Sequence, residues 1–248
     1  MIRAAVTTPR ETAEVLRSRF VELAPEGFEE VESVGAVELA AYGEAGERVL
    51  AAFPSAAVTE VQAGWEDRWR EFHRPVRIGP LWIGPPWEHA PAGALAVVID
   101  PGRAFGTGAH PTTRLCLELL LELSPRSLLD VGCGSGVLSV AASRLGFRPV
   151  TAVDSDPIAV EVATANASVN GVAIEARRLD AFVDDLPEAE TAVANIALAA
   201  VEALAPRIAV DRLITSGYLA QDQPGISGFE RAERRECEGW ASDLYLRA

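Results

Sequence analysis

The sequence predicts an α/β protein: a doubly wound, Rossmann-like sheet preceded by a small α+β domain of ferredoxin-like order. Three observations carry that prediction. First, Leu128 to Leu138 reads as a strand, a tight turn with glycines at 132, 134 and 136, and the start of a helix. Second, apolar strands alternate with helical patterns after residue 91, and two of these strands close on polar residues, Asp154 and Asn195. Third, the first 62 residues read as strand, helix, strand, strand, helix, strand. The boundaries expected are 1–62 for the N-terminal domain, 63–90 for a connecting stretch and 91–248 for the α/β domain.

Composition narrows the function classes. The chain has 248 residues, nearly half of them hydrophobic, enough for a sizeable core. No apolar run approaches the roughly 18–20 residues of a membrane span, and the N-terminus does not read as a signal peptide. Cys116, Cys133 and Cys237 form no CxxC pair, which predicts a reducing cytoplasm and no zinc site. Cys116 and Cys133 read as small packing residues. The net charge of −14 disfavours direct binding to nucleic acid and suits a basic partner. All 22 basic residues are arginine, a bias expected from a GC-rich genome. A monomer is the expectation.

In chain order, Ile2 to Thr7 is a predicted strand and Pro9 to Leu23 a predicted helix, with Ala13, Val15, Leu16, Phe20 and Val21 as its apolar positions. Pro25-Glu26-Gly27 is a turn, Phe28–Val34 and Ala36–Ala41 are strands, Glu44–Phe53 is a helix and Ala57–Gln62 a last strand. This unit holds 11 acidic residues against 5 arginines and no chemistry of its own. It reads as a substrate-docking module, or else as a stabilising appendage. In the connecting stretch Trp65, Trp69 and Phe72 share one helical face, as buried packing rings do. Prolines then keep the chain extended around Val76–Ile83, and His73 and His89 lack metal-ligand spacing.

Ala96–Asp100 is a strand that leads into a loop rich in glycine and hydroxyls, residues 101–113. Thr112 or Thr113 could cap the following helix, Arg114–Leu123. The alternative, preferred reading is a flap placing Phe105, Thr107 and Thr113 beside a ligand. The glycine turn lacks the spacing of a dinucleotide site, since position 137 is Val. It suits a nucleoside cofactor without a pyrophosphate, and S-adenosylmethionine is such a compound. Gly132 and Gly134 would lie against it. Asp154, 22 residues after Gly132, is placed to accept hydrogen bonds from ribose hydroxyls, and Asp180 is a candidate for an adenine amino group. Asp156 or Ser155 caps the helix Ile158–Asn170. Asn195 ends the strand Thr191–Ile196, in the ligand crevice of such a sheet. Leu198–Ala209 is a helix, Arg212–Gly217 a fifth strand and turn, and Phe229–Cys237 with Trp240–Arg247 a closing hairpin.

The motifs Asp100-Pro-Gly-Arg-Ala-Phe-Gly-Thr-Gly-Ala-His-Pro-Thr-Thr113, Leu129-Asp-Val-Gly-Cys-Gly-Ser-Gly-Val-Leu138, Val153-Asp-Ser-Asp-Pro157 and Val193-Ala-Asn-Ile196 resemble those of the PrmA family, methyltransferases of ribosomal protein L11. The Trp65…Trp69…Phe72 stretch is similar too. The resemblance is close over the α/β part and only in outline over the N-terminal unit. It implies a class I methyltransferase sheet and the methylation of amino groups on a basic ribosomal protein. It also implies S-adenosylmethionine as cofactor, with contacts at Thr113, Gly132, Asp154 and Asn195. The chain departs from the family at Ser155, where isoleucine is usual, and at Val210-Asp211, where a Gly-Gly turn is usual.

The chemistry expected is direct in-line methyl transfer to a neutral amine. It calls for proximity, orientation and a dry site rather than a strong base. No residue presents itself as a general base, and Asn195 and the Phe105–Thr113 loop are the candidates for orienting the amine. Competing readings are a lysine methyltransferase of another protein, such as an electron-transfer flavoprotein subunit, a small-molecule methyltransferase, and a non-catalytic cofactor-binding module.

Overall fold

The computed structural model describes residues 2–24, 28–33, 35–60, 74–100, 106 and 108–248. The turn at 25–27, the ring stripe of Trp65, Trp69 and Phe72, His73, Phe105 and Thr107 lie outside the described residues. The chain divides into two compact units, Met1–Phe72 and His73–Ala248.

In the first unit the strands are β1 (Ile2–Pro9), β2 (Glu29–Ser33), β3 (Ala36–Tyr42) and β4 (Ala57–Glu60), with helices α1 (Ala13–Leu23) and α2 (Gly43–Ala52). The sheet order is β2-β3-β1-β4 and every pairing is antiparallel, which is the ferredoxin-like arrangement. Ala4, Val37, Leu39 and Ala41 of the sheet meet Ala13, Leu16, Phe20 and Val49 of the two helices in one core. Phe20 also lies edge-on to Phe28 and stacks on Phe53. Val15, expected on the buried stripe, is 76% exposed. The buried positions step by three and four, from 13 to 16 to 20, and residue 15 falls off that line. Residues 10–12 form a turn of 3-10 helix before α1 begins.

The second unit is built on a seven-stranded sheet, β10-β9-β8-β11-β12-β14-β13. Its strands are β8 (Leu128–Val131), β9 (Val150–Asp154), β10 (Glu175–Arg178), β11 (Thr191–Asn195), β12 (Arg212–Leu219), β13 (Phe229–Cys237) and β14 (Trp240–Arg247). The first five pair in parallel, while β14 runs antiparallel to both β12 and β13. Helix α3 (Pro111–Glu122) leads into β8, and α4 (Val137–Arg144), α5 (Pro157–Val169) and α6 (Leu198–Leu204) are crossovers. Leu117, Leu120, Val140 and Ala141 pack under one face and Val201 and Leu204 under the other, so the central strands are buried on both sides. The doubly wound sheet with an antiparallel end is therefore as predicted.

The strand before the 101–113 loop is placed differently from the sequence expectation. It forms β7 (Leu95–Val98) in a separate three-stranded sheet with β5 (Val76–Ile78) and β6 (Leu81–Gly84). Ile78, Leu81, Ile83, Val97 and Ile99 enter the same core as α3 and α4. Tertiary packing, which the local pattern does not encode, assigns the strand to its sheet.

Candidate functional site

The order of the large sheet creates the site. From β8 the chain crosses to β9 and on to β10, then returns to β11 on the other side of β8. The two connections leave β8 and β11 in opposite directions, and a crevice opens beyond their carboxyl ends. A cleft of about 330 Å³ lies there, within the usual range of small-molecule sites. Thr113, Gly132, Gly134, Asp154 and Asn195 all line it, together with Gly106, Cys133, Ser155, Asp180, Phe182 and Ile196. Five of the six expected contact residues thus meet in one place, and the sixth, Phe105, lies outside the described residues.

The glycine turn is held by backbone bonds. The N–H groups of Gly132 and Cys133 both donate to the carbonyl of Val153, at 2.9 and 3.1 Å. Gly132 has φ +73°, and a Cβ there would stand 2.5 Å from the Ile196 side chain. Gly136 has φ +76°, and a Cβ would meet Ala163 of α5 at 2.9 Å. The first glycine is therefore required by the bend and the third by helix packing.

Asp154 faces this turn. Its Oδ2 accepts from the Gly134 N–H at 3.0 Å and its Oδ1 from the Asp156 N–H at 3.0 Å. An ionised carboxylate has about four acceptor positions, so capacity remains for hydroxyl donors in the cleft. The acid that faces the cleft thus also shapes the backbone around it. Asp156 caps α5 by accepting from the Ile158 N–H at 2.8 Å. Asp180 lines the cleft, but one of its oxygens already accepts from the Phe182 N–H at 2.9 Å.

Thr113 is buried on the first turn of α3, and the Asn195 amide donates to its hydroxyl at 3.4 Å. This bond joins the loop-bearing helix to the end of β11. The cap of α3 is His110, not Thr112 or Thr113. Its Nδ1 lies 2.7 Å from the Thr112 hydroxyl and accepts from the Thr112 N–H at 3.4 Å. Pro111 fixes the first turn, which leaves both threonines already inside the helix and so unable to cap it. The His110 ring packs edge-on against Trp240 with centroids 4.9 Å apart, and burial lowers its pKa.

Beneath the turn, Asp130 is fully buried and accepts from the Ser139 hydroxyl at 2.6 Å. Burial pushes its pKa up to about 6. Burial also pushes the Cys116 thiol up to about 12 and raises that of Cys133, so both are protonated packing groups and not nucleophiles. Among the described residues no group of three His, Cys, Asp or Glu gathers to hold a metal.

Three buried residues not singled out from the sequence bond to backbone groups near the site: Ser135 to Gly106, Asn166 to Ser135 and Asn170 to Val98. Asn166 and Asn170 lie four apart and are buried, on or just past a helix that their amides do not favour. That spacing of poor helix formers was the available signal.

A sequence model described as ribosomal protein L11 methyltransferase (PrmA) matches residues 31–241. A ribosomal protein L11 methyltransferase of Myxococcus xanthus is 37% identical over 200 residues, covering 75% of this chain and 68% of its own. One from Azotobacter vinelandii is 42% identical over 193 residues, covering 71% and 65%. The chain thus matches about two thirds of the length of these relatives. The crystal structure of a ribosomal protein L11 methylase from Lactobacillus delbrueckii superposes with a TM-score of 0.62 at 28% identity. That superposition covers 71% of this chain and 99% of the other. The matched span takes in every element that builds the cleft, and the chain belongs to the ribosomal protein L11 methyltransferase (PrmA) family.

Proposed function

We propose that this protein transfers methyl groups from S-adenosylmethionine to amino groups of ribosomal protein L11, on lysine side chains, the N-terminus or both. The observation that carries the proposal is the pairing of Asp154 with the bare glycine turn across the crevice. The residues present fit the cofactor: a bend that a Cβ would obstruct, an acid with acceptor capacity for ribose hydroxyls, and an apolar wall of Val131, Val153 and Leu179. Bound there, S-adenosylmethionine would supply an electrophilic methyl group on a sulfonium sulfur. The methyl would pass to the amine nitrogen as its carbon–sulfur bond breaks, leaving S-adenosylhomocysteine.

The chain's own work is to bind, orient and desolvate. A lysine ammonium, with an unperturbed pKa of about 10.4, must first release its proton, and desolvation at the cleft favours the neutral amine. Water takes that proton before the amine is enclosed. Asn195 already donates one N–H to Thr113, and among the described residues its carbonyl oxygen makes no further bond. We assign that oxygen to accept from the incoming amine.

The name of the substrate comes from the relatives, and the net charge of −14 supports a basic protein partner over nucleic acid. Among the described residues no helix is long and apolar enough to cross a membrane. The three cysteines are unpaired, which supports a reducing compartment, the cytoplasm. The test is to incubate the purified protein with tritiated S-adenosylmethionine and ribosomes lacking L11 methylation, and to identify the labelled protein. Label confined to L11 is expected. Label on a different protein, on small molecules alone, or on nothing would overturn the assignment.

A further inference from the structure

Asn166 and Ser135 are buried beside the glycine turn, and their bonds reach Asp100 and Gly106, the described residues that flank the 101–105 segment. The Asn166 side chain is buried at 3% exposure and uses both ends of its amide. Its Nδ2 donates to the Ser135 carbonyl at 2.9 Å, within the glycine turn. Its Oδ1 accepts from the Asp100 N–H at 3.3 Å, where the segment begins. Ser135, 1% exposed, completes the connection: its hydroxyl donates to the carbonyl of Gly106, where the segment ends, and accepts from the Val137 N–H at 3.3 Å. Asn170 reinforces the approach by acting as a neighbouring strand would. It accepts from the Val98 N–H at 2.8 Å and donates to the Val98 carbonyl at 2.6 Å and the Asn166 carbonyl at 2.8 Å.

We propose that Asn166 and Ser135 are positioning residues that fix the Gly106 wall of the cofactor cleft relative to the glycine turn before the cofactor arrives. The physical reason is preorganisation. Asp100 and Gly106 lie 29 to 35 positions from the turn residues they must face, counted along the chain between Gly106 and Ser135 and between Asp100 and Ser135. A wall held by chain connectivity alone would have to be ordered at the expense of binding. Two buried, bifunctional side chains order it in advance, and each leaves a buried backbone group unsatisfied if removed, the Ser135 carbonyl for Asn166 and the Val137 N–H for Ser135. The inference rests on the cofactor reading above.

The test uses the full-length protein. Titration calorimetry with S-adenosylmethionine would be run on the wild type, Asn166→Ala, Ser135→Ala and the double variant. Binding by the wild type tests the cofactor reading by itself. Each single variant is expected to bind roughly fivefold to twentyfold more weakly. The double variant should be little weaker than the worse single one, because both act on one linkage. At saturating cofactor, turnover should change less than twofold, so that the loss resides in KM. Variants that melt cooperatively and bind as tightly as the wild type would overturn the proposal, as would strictly additive losses. A second measurement needs no variant. The Asp100 amide should exchange its hydrogen slowly in the cofactor-free protein. Fast exchange that becomes slow only on adding the cofactor would overturn the proposal as well.

Discussion

Asp130 and Asp154 carry the same functional group on neighbouring parallel strands and do opposite things. Asp154 sits at the strand end, half-exposed, and accepts from two backbone N–H groups at the cleft. Asp130 lies one residue short of its strand end, fully buried over Ser139. The difference is legible in position only once the strand ends are known. It has a consequence for stability. With a folded pKa near 6 against an ordinary 3.8, Asp130 keeps its proton in the folded protein at pH values where the unfolded chain has lost it. The contribution of Asp130 to stability therefore falls as pH rises from about 4 to about 6, and is level above that. Asp130→Asn removes the effect and still accepts from Ser139. The variant should be more stable by up to about 3 kcal/mol at pH 8, with the gain gone at pH 4. Denaturant unfolding at the two pH values checks this, and an equal effect at both would show that burial is not the cause.

At the scale of elements, the first turn of α3 is docked onto the β13–β14 turn. His110 meets Trp240, and Arg114 pairs with Glu238 at 3.0 Å. Glu238 has φ +52° and Gly239 φ +80°, the left-handed pair that a two-residue hairpin demands. A glutamate is strained there by about 1 kcal/mol, where asparagine would be at ease. The exposed ion pair offsets part of that. Glu238→Asn should therefore stabilise the Arg114→Ala protein by about 1 kcal/mol and the wild type by less. Thermal melting of the four proteins reads the difference. Equal shifts in both backgrounds would mean that Arg114 gives Glu238 nothing. The hairpin itself was legible, because two strand-like runs flank Glu238-Gly239. The docking was not, since residues 114 and 238 are far apart in sequence and neither is unusual locally.

At the scale of the whole molecule, charge is the feature that acts at a distance. The acidic excess extends into the first 62 residues, where Arg3 and Arg17 are already engaged by glutamates and Glu44, Glu47 and Glu60 are exposed. Association with a basic protein should be steered by this field and screened by salt. Raising the ionic strength from about 0.05 to 0.5 M is expected to lower kcat/KM for L11 roughly tenfold. Cofactor affinity should change less than twofold. A salt-independent kcat/KM would assign no part to the net charge of −14.

What the sequence determined by itself was whatever is written in neighbouring residues. The strand, glycine turn and helix around Gly132, the acid at Asp154, the amide at Asn195 and the ferredoxin-like order of the first unit are all local patterns. Each follows from side-chain periodicity or from the backbone freedom of one residue type. Only the tertiary structure decided that Val15 faces out, that β7 leaves the main sheet, that His110 caps α3, and that Asn166 ties Asp100 to Ser135. Those outcomes depend on partners distant in the chain, and a buried amide shows its use only when the groups it bonds have been brought to it.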